Sequence, residues 1–215
     1  MRKINSKLFI KELKSYKGNN VFNPYSDSCS VFDKVNAPAI RRKNLKLALE
    51  SFLNSKLDSL WIGRDLGHRG GRRTGLALTD EAQLESASHS WNIELKKATK
   101  GDVVAERTAA NIWHHLNQIE QRIFMWNVFP FHPHEDGNQL TNRSHTAKER
   151  DFGMQILELL IELLKPKKII AIGNDAYNCS VRLSNKLEVI KVRHPSYGGE
   201  KIFAKQLRKL YGIKL

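Results

Sequence analysis

Four short apolar runs, each emptying into a polar segment marked by glycine or proline, constrain this chain more than any other feature. The runs are Leu60-Trp61-Ile62, Ile123-Phe124-Met125-Trp126, Ile169-Ile170-Ala171-Ile172 and Leu187-Glu188-Val189-Ile190-Lys191-Val192. They lead into Gly63-Arg64-Asp65-Leu66-Gly67-His68, Asn127-Val128-Phe129-Pro130-Phe131-His132, Gly173-Asn174-Asp175 and His194-Pro195-Ser196-Tyr197-Gly198-Gly199. Short apolar runs between helical stretches predict buried parallel strands. Ligands bind such sheets at the carboxyl ends of the strands, so all four polar segments are expected at one edge, and that edge is the expected site. The fold class is α/β: a three-layer α/β/α sandwich around a central, mostly parallel four-stranded sheet.

The intervening stretches supply the helices. Residues 3–16 carry loose helical periodicity through Ile4, Leu8, Ile10 and Leu13, and 17–38, with Asn23-Pro24, reads as an ordered arm. Helices are expected over 41–57, from Thr79-Asp80-Glu81 onward, over 106–121, from Asn174 or Asp175 to about Leu183, and over 201–210. Thr146-Ala147-Lys148-Glu149 is a capping-box pattern opening a helix that runs to Leu164 and stops before Pro166. No internal repeat interrupts this order. One domain over residues 1–215 is expected, with 1–40 as an N-terminal helix and arm packed upon it.

Composition excludes several classes. At 40% hydrophobic residues the chain is not disordered throughout. Its longest apolar stretch, near 156–164, is too short and too acidic for a membrane span, and no apolar leader follows Met1. Cys29 and Cys179 are too few for a disulfide framework or an iron–sulfur cluster. A cytoplasmic protein with no cofactor is expected. The net charge of +14 has two readings. Arg64, Arg69, Arg72 and Arg73, crowded into one segment, would neutralise nucleic-acid phosphates, or the charge solubilises the surface.

The loops carry the candidate chemistry. In His68-Arg69-Gly70-Gly71-Arg72, glycines let backbone amides approach an anion while guanidinium groups clamp it. The segment is neither a P-loop nor a dinucleotide fingerprint. Asp65 is the one carboxylate among these arginines: a salt bridge or turn cap, or an ionised group facing a reaction centre. Asn127 offers a donor and an acceptor to the edge of a heterocycle, or satisfies loop backbone. His194 caps a turn, or donates to a developing oxyanion. His132, His134, Glu135 and Asp136 raise the alternative of a metal-dependent nuclease, although their spacing matches no strong metal signature. A non-catalytic DNA-binding module is a further alternative.

Together these loops resemble the uracil-DNA glycosylase superfamily. Gly63-Arg64-Asp65-Leu66-Gly67-His68 is similar to its first motif, G-Q-D-P-Y-H in one branch and G-E-A-P-G in others. The continuation from Arg69 to Glu81 resembles the R-G-G-R-x-T-G-x-x-x-T-x-E stretch of a bacterial branch. Trp126-Asn127-Val128-Phe129-Pro130-Phe131-His132-Pro133, with Asn142-Arg143, resembles that branch's middle motif, and Arg193-His194-Pro195-Ser196-Tyr197-Gly198-Gly199 its last.

The resemblance implies hydrolysis of a base–sugar bond in DNA, with the target nucleotide flipped into a pocket. It implies that Asp65 positions water and that His194 hydrogen-bonds the base oxygen that turns negative. Asn127 would read the base in a pocket shared with Gly63, His68 and Leu78. Arg64, Arg69, Arg72, Arg73, Ser196, Tyr197 and Gly198 would hold the DNA, with Tyr197 or a neighbour as wedge. No motif places a lysine for a Schiff base, so a monofunctional, monomeric enzyme without metal is expected. Two departures bear on the base released. Leu78 stands where many members stack an aromatic ring, and Leu66-Gly67 replaces a Pro-Tyr pair whose tyrosine would screen out thymine. Uracil or a related pyrimidine is the expected substrate; a bulkier modified pyrimidine, such as a phage-type cytosine, is the alternative.

Overall fold

The computed structural model describes residues 4–53, 56–183 and 187–213. The expected helix start at Lys3 and the part of the 41–57 helix at 54–55 lie outside them. The chain opens with helix α1 (Ser6–Ser15), a short strand β1 (Val21–Phe22), α2 (Ala37–Leu53) and β2 (Ser59–Asp65). A one-turn α3 (Gly71–Thr74) and a 3-10 turn (Glu81–Gln83) lead to α4 (Leu84–Trp91) and α5 (Arg107–Leu116). Then come β3 (Ile123–Phe129), β4 (His132–Pro133), α6 (Ala147–Leu164) and β5 (Lys168–Ile172). The chain continues through α7 (Asn174–Ser180), β6 (Glu188–Val192) and α8 (Glu200–Tyr211).

All four apolar runs are strands of one sheet, ordered β3-β2-β5-β6 and parallel throughout. In β2 the consecutive residues Leu60, Trp61 and Ile62 are fully buried, which requires layers on both faces. Register places Leu60 beside Phe124 and Ile62 beside Trp126. Phe124 meets Phe52 of α2 at 5.3 Å between ring centroids, and Trp126 meets Phe9 of α1 at 5.5 Å. Trp61 points to the other face, where its indole N–H donates to the Tyr211 hydroxyl of α8 at 2.8 Å. Three layers result. No helix among the described residues is long and apolar enough to cross a membrane.

Helix boundaries follow local chemistry. Asn5 accepts from the Leu8 N–H at 3.0 Å and starts α1. The Thr146–Glu149 capping box forms and starts α6. Helix α6 then lies close on β3: a Cβ at Gly153 would stand 2.1 Å from the Val128 carbonyl oxygen. Asp80 caps the 3-10 turn before α4, so the helix expected from Thr79 begins several residues later. The helix expected over 106–121 is shorter, ending at Leu116, and Pro38 sits in the first turn of α2, where a missing N–H costs nothing.

The N-terminal arm is tied into the domain. The buried Asn23 amide donates to the carbonyls of Leu13 (2.8 Å) and Tyr16 (3.1 Å), and its oxygen accepts from the Tyr25 N–H (2.9 Å). Tyr25 in turn donates to the Gly75 carbonyl at 2.9 Å. Strand β1 pairs antiparallel with β4, a small second sheet that the apolar pattern does not predict.

Candidate active site

The carboxyl ends of the strands bring the polar loops together in a continuous series of contacts. Gly63 of β2 and Asn127 of β3 are register partners. The Asn127 side chain is buried, and neither its oxygen nor its nitrogen has a partner among the described residues. A Cβ at Gly63 would stand 2.5 Å from that oxygen and 3.0 Å from Leu78 Cδ2. Gly63 thus lets the amide pack directly against the β2 backbone, with Leu78 as its apolar neighbour. Leu78 holds φ +54°, a left-handed conformation a leucine seldom adopts.

Asp65 ends β2 with its side chain only 6% exposed. Two cations share its carboxylate: Arg64 Nε donates to Oδ2 at 2.8 Å, and His145 Nδ1 pairs with Oδ1. Burial by itself lowers the His145 pKa. Its hydrogen bonds to Asp65 and Cys179 and the charge of Asp65 outweigh that and raise the value to about 9. Arg64 also reaches Asp175 at the start of α7, 3.2 Å away.

His194 follows β6 and packs on Gly173, whose own φ is +89° and whose added Cβ would stand 3.2 Å from His194 Cβ. The Ser196 N–H donates to His194 Nδ1 at 3.2 Å. The neutral ring therefore carries its proton on Nε2, free to donate. Burial, then the charges of Arg193 and Arg64, lower the His194 pKa and favour that neutral form. Ser196 is hydrogen-bonded to Thr108 of α5 at 3.2 Å. Tyr197 is 98% exposed at φ +52°, and Gly198 beside it has φ +73°.

The arginine-rich segment divides, and here the expectation needs correction. Arg64 and Arg69 are exposed, whereas Arg72 and Arg73 are buried. The Arg72 guanidinium lies 3.9 Å from the Phe22 ring centroid and 5.0 Å from that of Phe32. Arg73 lies 4.2 Å from Phe32 and pairs with Glu81 at 3.2 Å. The single turn of α3 directs both side chains inward beneath the arm, whose aromatic faces accept them. They brace the loop from inside and cannot serve as surface phosphate clamps. His68 is half buried: its backbone N–H donates to the Asn142 side-chain oxygen at 2.9 Å, and burial, with Arg69, Arg72 and Arg73 nearby, lowers its pKa.

Each of the two histidines weighed as metal ligands has one ring nitrogen hydrogen-bonded to a backbone carbonyl. His132 Nε2 donates to the Thr141 carbonyl at 2.7 Å, and His134 Nδ1 to the Glu135 carbonyl at 2.9 Å. Among the described residues no group of three or more histidine, cysteine or carboxylate side chains is arranged to hold a metal ion.

Two residues at this edge escape motif reading. His145 sits in the loop before α6, between the Asn142-Arg143 of the middle motif and the Thr146 cap, and belongs to neither. Glu106, at the start of α5, places its carboxylate against the first loop, where Cβ atoms at Gly70 and Gly67 would stand 1.8 Å and 3.0 Å from its oxygens. Burial and the nearby charge of Asp80 raise its pKa. The glycines are the only sequence signal of Glu106.

Sequence comparison with protein families matches residues 50–209 to the uracil DNA glycosylase superfamily. No curated protein matches the chain in sequence. Among solved structures, wild-type SMUG2 of Pedobacter heparinus is similar, with a TM-score of 0.65 at 13% identity over 96% of each chain. At that identity the likeness is one of fold. The matched residues hold the whole four-stranded sheet, Asp65, Asn127 and His194, and the chain belongs to the uracil DNA glycosylase superfamily: it is a DNA glycosylase, hydrolysing N-glycosyl bonds.

Proposed function

We propose that the chain is a monofunctional glycosylase that releases uracil or a related pyrimidine from a nucleotide flipped out of DNA, leaving an abasic site. The observation that carries this reading is Asn127, a buried amide packed against Gly63 whose donor and acceptor both lack partners among the described residues. Leaving such groups unmet costs about 1–3 kcal/mol each, and a pyrimidine's pairing edge supplies both. Asp65, its two oxygens held by Arg64 and His145, orients water and faces the positive charge that grows on the sugar. His194 donates from Nε2 to the base oxygen as the C1′–N bond breaks and the bond's electron pair leaves with the base. Donors fixed before charge develops act on the transition state more than on the bound substrate.

Arg69 and the Ser196-Tyr197-Gly198 turn contact the DNA, with Tyr197 filling the gap left by the flipped nucleotide. A bulkier modified pyrimidine is the second reading. Leu66 and Gly67 favour it: Leu66 is buried against Gly71, and Gly67 carries no ring where a tyrosine would screen by bulk. The test offers purified protein duplexes carrying uracil, hypoxanthine, xanthine, a thymine mismatch, or hydroxymethylated or glucosylated cytosine, with alkali to cleave abasic products. Release of uracil supports the first reading and release of only the modified cytosines the second. Release of none of these bases rejects both.

A further inference from the structure

We propose that His145 is a positioning residue that holds the Asp65 carboxylate in its orientation, and that loss of its proton sets the alkaline limit of base release. The inference rests on the role of Asp65 proposed above. The paired nitrogen and oxygen belong to residues 80 apart in sequence, so the contact is a product of the fold.

The segment carrying His145 is anchored at several points. Asn142 accepts from the His68 N–H at 2.9 Å, on the same loop as Asp65. Arg143 makes a two-pronged pair with Glu149, 2.8 and 2.7 Å, and donates to the His134 carbonyl at 3.0 Å. Glu149 also closes the capping box on Thr146, whose N–H it accepts at 2.6 Å. The close seat of α6 on β3 at Gly153 fixes the helix that follows. The imidazole is thereby delivered to Asp65 by a rigid loop and is itself only 9% exposed.

The groups facing the ring come from three elements: Asp65 of β2, Cys179 of α7 and the Phe129 ring of β3 at 6.1 Å. Arg64 occupies the second Asp65 oxygen, and Arg143 lies near enough to feel the carboxylate charge. A carboxylate has about four lone-pair positions, so one on each oxygen remains for water and sugar. In the hydrolysis, the water oxygen bonds to C1′ as the C1′–N bond breaks. The base leaves with the electron pair and takes a proton from solvent. The water's proton passes to Asp65 and then to solvent. His145 gives up no proton in this sequence; it fixes which lone pairs of Asp65 face the sugar.

The test measures single-turnover base release from pH 6 to 10 for the parent, His145→Ala and His145→Asn, using whichever duplex the parent cleaves. Binding to a non-cleavable 2′-fluoro analogue of that duplex is measured alongside. The alanine variant should lose on the order of 10²-fold in rate, the scale of a mispositioned reacting group, with binding within about threefold. Asparagine, which retains a donor without charge, should recover part of the rate. The parent rate should fall as pH rises through about 9, and the asparagine profile should lack that limb. Independently of activity, the His145 ring followed by NMR should titrate near 9 in the parent and lower in Asp65→Asn. An alanine variant with the parent's rate and profile, or a ring titrating at the ordinary histidine value with Asp65 intact, overturns the proposal. A parent that releases no base defeats the functional reading instead, and the ring titration still decides the pair.

Discussion

Gly63 and Asn127 face each other across β2 and β3, and a methyl group on Gly63 would meet the Asn127 side-chain oxygen at 2.5 Å. Its other near contact is Leu78 Cδ2 at 3.0 Å. Both are the ends of side chains and can turn aside, so the backbone keeps its course while the amide loses its aim. Gly63→Ala should lower kcat/KM for base release by about 10²-fold, with stability reduced by about 1–3 kcal/mol from overpacking. Thermal melting and steady-state kinetics on one preparation separate the two effects.

Asp65→Asn removes charge and keeps shape. Single-turnover release should fall on the order of 10²–10³-fold, as when a charge-stabilising group is lost, while affinity for a non-cleavable substrate analogue changes little. Equal rates for variant and parent would mean that the carboxylate serves only to pair Arg64 and His145.

The sheet was legible because its signal is local. Consecutive apolar residues such as Leu60-Trp61-Ile62 can be buried on both sides only in a covered sheet, and the motifs sit directly at the ends of those runs. Asp65, Asn127 and His194 inherit their placement from that regularity. His145 does not end an apolar run: it lies in a polar loop, and tertiary contacts, the Asn142–His68 and Arg143–Glu149 bonds and the seating of α6 on β3, bring it to Asp65. The arginines misled for a related reason. Spacing puts Arg64, Arg69, Arg72 and Arg73 in one segment, but their direction is set by one turn of helix and by Phe22 and Phe32, which belong to an arm that carries little periodicity of its own.

Arg69 and Arg72 should therefore behave as opposites. Arg69 is exposed beside the site, so Arg69→Ala should weaken DNA binding and reduce the slope of log K against log salt by about one phosphate contact. Arg72 is buried between two aromatic rings, so Arg72→Ala should lower stability by about 2–4 kcal/mol through lost packing and cation–π contact. In residual folded protein it should leave the salt slope unchanged. Denaturant unfolding and salt titrations of binding check the pair.

Tyr197 is nearly free of the protein surface, on a turn whose Gly198 has open space around it. Such a side chain contributes little to the fold, so Tyr197→Ala should melt with the parent. If its ring fills the gap left by a flipped nucleotide, the loss in activity should be greater on duplex than on single-stranded DNA, which needs no unstacking. Single-turnover rates on matched duplex and single-stranded substrates read this ratio; an unchanged ratio assigns the turn no part in opening the duplex.

His132 links stability to acid. Burial and then the charge of Arg72 lower its pKa to about 3, and it is fully buried with Nε2 donating to Thr141. Unfolded, the ring takes a proton near pH 6.5; folded, it does not until about pH 3. Between those values the unfolded state binds more protons, so stability falls as pH falls, by about 1.4 kcal/mol per unit for this group. His145 has the opposite sign. Its folded pKa is raised, so its contribution is complete below about 6.5 and is lost as pH rises to about 9. Urea unfolding of His132→Gln at pH 7 and pH 4 should show lower stability at neutrality but a shallower acid loss than the parent, whereas His145→Asn should flatten the alkaline side and leave the acid slope unchanged.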